Sequence, residues 1–227
     1  GDVYKRQLQA AEERLREDPD DPALRRAQAN LLVSLGCYGP AIQTLRALHE
    51  ANPNSGTIAV ELAHAYFTAD RYPESIALCR RFVDEAAPVG IQARVVLARC
   101  LMKARRIEDA VTVLERLLQD EPGEPRAALG LLTVGVLSPD DAPDVQRCLT
   151  ILMTSKAREQ LETNDRVREW LFPLIGELIS RPATEPYQAL ARDLLQPLAP
   201  EARAVPATRL CRQALQQYAE DGPEAVQ

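Results

Sequence analysis

Residues 29–45 read ANLLVSLGCYGPAIQTL, and the same pattern returns at 63–79 as AHAYFTADRYPESIALC and at 98–114 as ARCLMKARRIEDAVTVL. The offsets are 34 and then 35 residues; Pro19, Pro53, Pro88 and Pro122 keep the same beat at 34, 35 and 34. The extra residue falls in the loop around Pro88, where an insertion costs least. Self-similarity at this period marks an array of supersecondary units, none of which can bury its apolar face alone.

Each unit divides into two stretches with helical apolar spacing, Leu24 to Leu35 and Pro40 to Glu50 in the first. Short turns separate them: Gly36-Cys37-Tyr38-Gly39, then Asp70-Arg71-Tyr72, then Arg105-Arg106. Small residues at Ala29, Ala63 and Ala98, and at Ala41, Ser75 and Ala110, let two antiparallel helices approach closely. Leu45, Leu48, Phe82, Leu114 and Leu117 supply the bulk between successive pairs. Proline near each unit's end stops the second helix, because it lacks an N–H and clashes with the preceding turn.

This pattern resembles the tetratricopeptide repeat. The resemblance implies an all-α fold, a right-handed helix-turn-helix solenoid, with repeats at 22–55, 56–90 and 91–124 and a partial fourth at 125–137. Arg25, Ala59 and Arg94 stand where the family often carries Trp, and Asp70 and Cys79 where it favours Gly and an aromatic. Residues 8–21 read as the second helix of a repeat whose first half the chain does not contain. Gly1 to Gln7, GDVYKRQ, resembles the in-frame translation of a sequencing adapter and is set aside from the fold. Residues 138–219 keep helical character without the repeat and read as an extension or cap, with helices from Val145, from Asn164 through a Pro173 kink, from Glu185-Pro186, and from Pro206 to Tyr218. Residues 220–227 form a polar tail.

Composition narrows the function. With 227 residues and 46% hydrophobic content the chain can bury a sizeable core. A net charge of −6 argues against nucleic-acid binding driven by phosphate neutralisation. No run of apolar residues is long enough for a membrane span. Cys37, Cys79, Cys100, Cys148 and Cys211 are odd in number and never form CxxC, which fits thiols in a reducing compartment and leans cytoplasmic. His49 and His64 are the only histidines, and no metal-ligand spacing can be assembled around them. No phosphate loop, GxSxG or HExxH occurs, so the expectation is no cofactor and no catalysis.

The expected function is binding. By the resemblance, first helices line a groove that receives an extended peptide or a helix. Its lining would be Ala23, Arg26, Asn30, Val33 and Ser34; Thr57, Val60, His64, Phe67 and Thr68; Gln92, Val95, Arg99, Met102 and Lys103; and Arg126, Leu129, Thr133, Val136 and Leu137. Arg26, Arg99, Lys103 and Arg126 are basic and none of the set is acidic, which favours an acidic partner segment with Phe67 and Met102 supplying apolar area. A carboxylate clamp of the chaperone-binding kind is not expected: Arg26 and Asn30 fit it, but Glu61, Gln92 and Val96 do not. The lead expectation is a non-catalytic scaffold or adaptor. The competing one is an accessory arm of a larger enzyme or secretion component. Self-association through apolar surface at Leu8, Ala11 and Leu15 is a third.

Overall fold

The computed structural model describes residues 2–137 and 145–152, together with positions 154, 157, 159 and 174. Among these the chain is all-helical: α1 (Asp2–Glu17), α2 (Pro22–Ser34), α3 (Tyr38–Ala51), α4 (Gly56–Thr68), α5 (Tyr72–Cys79), α6 (Val89–Lys103), α7 (Ile107–Asp120), α8 (Pro125–Leu137) and α9 (Val145–Leu152). The segments expected from Asn164 through Pro206 to Tyr218 lie outside the described residues, except that Leu174 is helical and buried. The chain forms two units, Gly1–Val113 and Leu114–Gln227.

In the first unit each helix packs on the next, α1 on α2 through α5 on α6. The first helices of consecutive repeats, α2 with α4 and α4 with α6, also touch, so the helix pairs stack as a solenoid. The small positions are what permit this. Ala29, Ala41, Ala63, Ser75, Ala98 and Ala110 are all fully buried at 0% exposure. Leu45, Phe82 and Leu101 fill the space between them, each side chain stabilising the fold by about 1.5–3 kcal/mol when fully buried. Ser75, the one polar member of the small series, donates from Oγ to the Ala63 carbonyl at 2.7 Å and so costs the core no unsatisfied hydroxyl.

The turns inside the repeats share one design. Gly36, Asp70 and Arg105 all adopt positive φ, at 79°, 58° and 60°. After each, the next amide reaches back to the carbonyl five residues earlier: Cys37 to Leu32, Arg71 to Tyr66, Arg106 to Leu101, at 2.8, 2.8 and 2.9 Å. These are Schellman caps, which satisfy the helix's last carbonyls before the chain reverses. Two turns add an ion pair at equivalent places, Arg71 Nε with Glu74 at 2.8 Å and Arg106 Nε with Asp109 at 2.6 Å. The second helix starts earlier than the sequence suggests, at Tyr38 rather than Pro40.

Between repeats the helices begin with recognisable caps. Asp21 accepts from the Ala23 and Leu24 amides, and Ser55 accepts from Ile58. Arg25 and Arg94, the residues standing in the Trp place, do equivalent work: their Nε atoms donate to the Pro19 and Val83 carbonyls at 2.7 and 2.8 Å.

One element departs from the repeat. α5 ends at Cys79, and residues 80–85 continue in i→i−3 hydrogen bonds, Arg81 to Leu78, Phe82 to Cys79 and Glu85 to Phe82. Gly90 explains how closely this segment can lie against α6: a Cβ there would stand 2.0 Å from the Glu85 carbonyl oxygen.

In the α1 region Ala11 is buried and Leu8 and Leu15 are half-buried against α2, so the apolar surface expected there is largely covered; the exposed large apolar side chains are Val3 and Tyr4. In the second unit α8 packs on α9, with Leu129, Leu131, Leu132 and Val134 buried from one and Cys148, Ile151 and Leu152 from the other. Arg147 of α9 donates to Glu115 at 3.0 Å.

Candidate functional site

In the first unit, α2, α4 and α6 present one continuous face, because each first helix lies beside the next while its own second helix packs elsewhere on it. Residues near the middle of these helices therefore face a common strip. Arg26 of α2 reaches Glu61 of α4, Nε to Oε2 at 3.3 Å. The Glu61 side chain is only 10% exposed, so this pair fastens neighbouring repeats as well as spending part of the strip's positive charge. The expected lining holds no acid, and Glu61, one residue from Val60 and at the place where a clamp would need Asn, brings one beside Arg26.

Phe67 is 9% exposed and closes against Tyr72 with ring centroids 5.8 Å apart. The Arg99 guanidinium of α6 lies over the Phe67 ring, 4.3 Å from its centroid, a contact worth about 0.5–2 kcal/mol. Phe67 is thus a covered support for Arg99, not an open apolar contact. Tyr72 in turn donates its hydroxyl to Asp70 Oδ1 at 2.5 Å, which together with burial raises its pKa. Val60 and Val95 are buried, Asn30, His64 and Met102 half-buried, and Lys103 exposed. Of the lining expected on these helices, solvent reaches Ala23, Arg26, Asn30, Val33 and Ser34 on α2, Thr57, His64 and Thr68 on α4, and Gln92, Arg99, Met102 and Lys103 on α6.

Arg126 belongs to the second unit. Its Nε donates to Glu124 Oε1 at 2.7 Å and its backbone N–H to the same oxygen at 3.1 Å, so Glu124 both caps α8 and neutralises Arg126. Only 14% of the Arg126 side chain is exposed. Leu129 is buried and Thr133 turns its hydroxyl back to the Leu129 carbonyl.

Cys79, Cys100 and Cys148 are buried thiols and Cys37 an exposed one. Burial pushes the Cys79 thiol far up and that of Cys100 to about 11, while Cys100 donates to Ser75 Oγ at 3.2 Å. Neither forms thiolate near neutral pH. Among the described residues no three His, Cys, Asp or Glu side chains gather as a metal site, and no helix is long and apolar enough to cross a membrane. His49 has its pKa lowered, first by burial and then by Arg81.

Two tetratricopeptide repeat family models match the chain, one over residues 26–90 and the other over 81–133. Comparison with curated proteins gave no match. Among solved structures the human IFIT1 dimer with m7Gppp-AAAA is similar at 19% identity and a TM-score of 0.52, over 95% of this chain and 47% of that one. This chain thus spans about half the length of that protein. A structure described as YrrB, a TPR protein with an unusual peptide-binding site, is similar at 13% identity and a TM-score of 0.45, over 93% of this chain and 99% of that one. At such identities the likeness speaks to fold alone. The family models, the recurring Schellman turns and the stacked helix pairs agree: over residues 26–133 the chain carries tetratricopeptide repeats, and it is a tetratricopeptide repeat protein.

Proposed function

We propose that the face built by α2, α4 and α6 holds an extended or helical segment of a partner protein, and that acidic side chains in that segment are favoured. The observation supporting this is the arrangement on α6. Arg99 and Lys103 stand one helical turn apart, with the Arg99 guanidinium carbon 4.3 Å above the centroid of the Phe67 ring. A planar fork held in place gives up less freedom on meeting a carboxylate than a free one would, and forks match carboxylates in geometry. Half-buried Met102 beside them offers adaptable apolar area. Arg26 contributes less charge to this face than its sequence position suggests, because Glu61 answers it. In this reading the protein is a non-catalytic adaptor, and specificity concentrates at the third repeat.

Selection of short random peptides on the purified chain tests the reading. Enriched sequences should carry Asp or Glu near an apolar residue, and Arg99→Glu/Lys103→Glu should weaken their binding by about tenfold or more while leaving the helical signal in place. Enriched peptides without acidic character, or equal binding by the double variant, would contradict it.

A further inference from the structure

The Phe82 ring is the anchor of the irregular segment that replaces the end of α5, and it is approached from two directions by basic side chains. The Arg81 guanidinium lies 5.5 Å from its centroid, and the His49 imidazole of α3 meets it edge-on with centroids 6.5 Å apart at 71°. Phe82 itself is 5% exposed and belongs to the core of the first unit. His49 Nδ1 is buried without a hydrogen-bond partner.

We propose that His49 is an acid-sensitive fastener: uncharged, it seats Phe82 and holds residues 80–88 closed, and on protonation it releases them. A proton on His49 makes Nδ1 a buried N–H donor facing no acceptor. It also brings a second cation to a ring that already carries Arg81. The charged groups acting on His49 are Arg81, from the segment after α5, and Glu50, from α3 itself; Glu50 opposes Arg81 but is the weaker influence. α3 packs between α2 and α4, and the acid of α4 on that side of the sequence, Glu61, is engaged with Arg26 of α2.

The sign follows from the direction of the shift. His49 binds its proton less readily in the folded chain than in the unfolded one. Its contribution to stability is therefore present above the unfolded value of about 6.5 and is lost as pH falls below it. The effect is local, because residues 80–88 join the second repeat to the third and hold the Arg94 guanidinium through the Val83 carbonyl. Loosening them alters the support of α6, the helix that carries Arg99 and Lys103.

Hydrogen exchange of the full chain, read by mass spectrometry over residues 80–88 and corrected for the intrinsic effect of pH, tests the proposal together with the NMR titration of His49. Opening should rise between pH 7 and pH 5.5 in the unsubstituted protein, by no more than about eightfold, the limit for one proton taken up by the open form at an ordinary histidine value. In His49→Gln this pH dependence should vanish at whatever basal rate the variant shows. In Arg81→Gln it should shrink, because one of the two cations is gone. A His49 that titrates at or above its ordinary value, exchange that ignores pH, or a pH dependence that survives His49→Gln overturns the proposal. These readouts need no partner, so they stand apart from the binding face.

Discussion

Three residues at equivalent places in the repeat, Gly36, Asp70 and Arg105, carry the same left-handed backbone with very different side chains. Glycine adopts it at no steric cost, aspartate tolerates it, and arginine is strained by it. Replacing Arg105 by Gly should therefore stabilise the chain by about 0.5–1 kcal/mol, and Gly36→Ala should destabilise it by a similar amount, both read by urea unfolding. Loss of stability in Arg105→Gly would show that the arginine side chain compensates the strain. Gly90 has a different constraint, the 2.0 Å approach of the Glu85 carbonyl to any Cβ. Gly90→Ala should cost about 1–3 kcal/mol, and a variant as stable as the parent would mean that residues 80–85 move aside freely. At this scale the sequence was legible wherever sterics alone decide. The small positions and the turn glycine could be read directly, since no larger side chain fits between helices in contact. Glu61 could not, because its role depends on which residue of a neighbouring repeat it faces.

Among the elements, the helices of the first three repeats could be read to within a few residues, because period and proline both mark them. The exception is instructive. Nothing in the sequence before Pro88 forbids α5 from continuing past Cys79, yet it gives way to tighter turns at Arg80. The difference is tertiary: a guanidinium from the following helix, Arg94, takes the Val83 carbonyl. Arg25 serves the preceding loop in the same way through the Pro19 carbonyl, so the two arginines in the family's Trp place have become loop caps. Arg94→Ala should lower stability by about 1–2 kcal/mol and raise exchange over residues 80–88, with Arg94→Lys recovering part of both. No change in exchange would assign the end of α5 to its own sequence instead. The partial fourth repeat at 125–137 and the helix from Val145 are both present as α8 and α9. α9 begins three or so residues later than the repeat spacing from Ile107 would place a second helix, so no register match joins it to the repeats.

For the molecule as a whole, the repeat architecture was visible because it is written redundantly, several times over at one period. The binding face was only half visible. Helix position assigns its expected members, but the charge of the proposed face depends on pairings such as Arg26 with Glu61 that cross between elements. In the proposed function Arg99 and Lys103 give the face its cationic character, in a chain of net charge −6. Binding of an acidic segment should accordingly weaken as salt rises, since exposed charges are screened over about 10 Å at 0.1 M ionic strength. Affinity that ignores salt would place the contact elsewhere or make it apolar. The most direct measurement is site-specific photo-crosslinking with a selected peptide, placing the reactive group at Lys103 on α6 in one preparation and at exposed Gln43 on α3 in another. Crosslinks from position 103 and none from position 43 are the predicted result. Crosslinks from position 43 alone would show that the partner segment does not lie on the face formed by α2, α4 and α6.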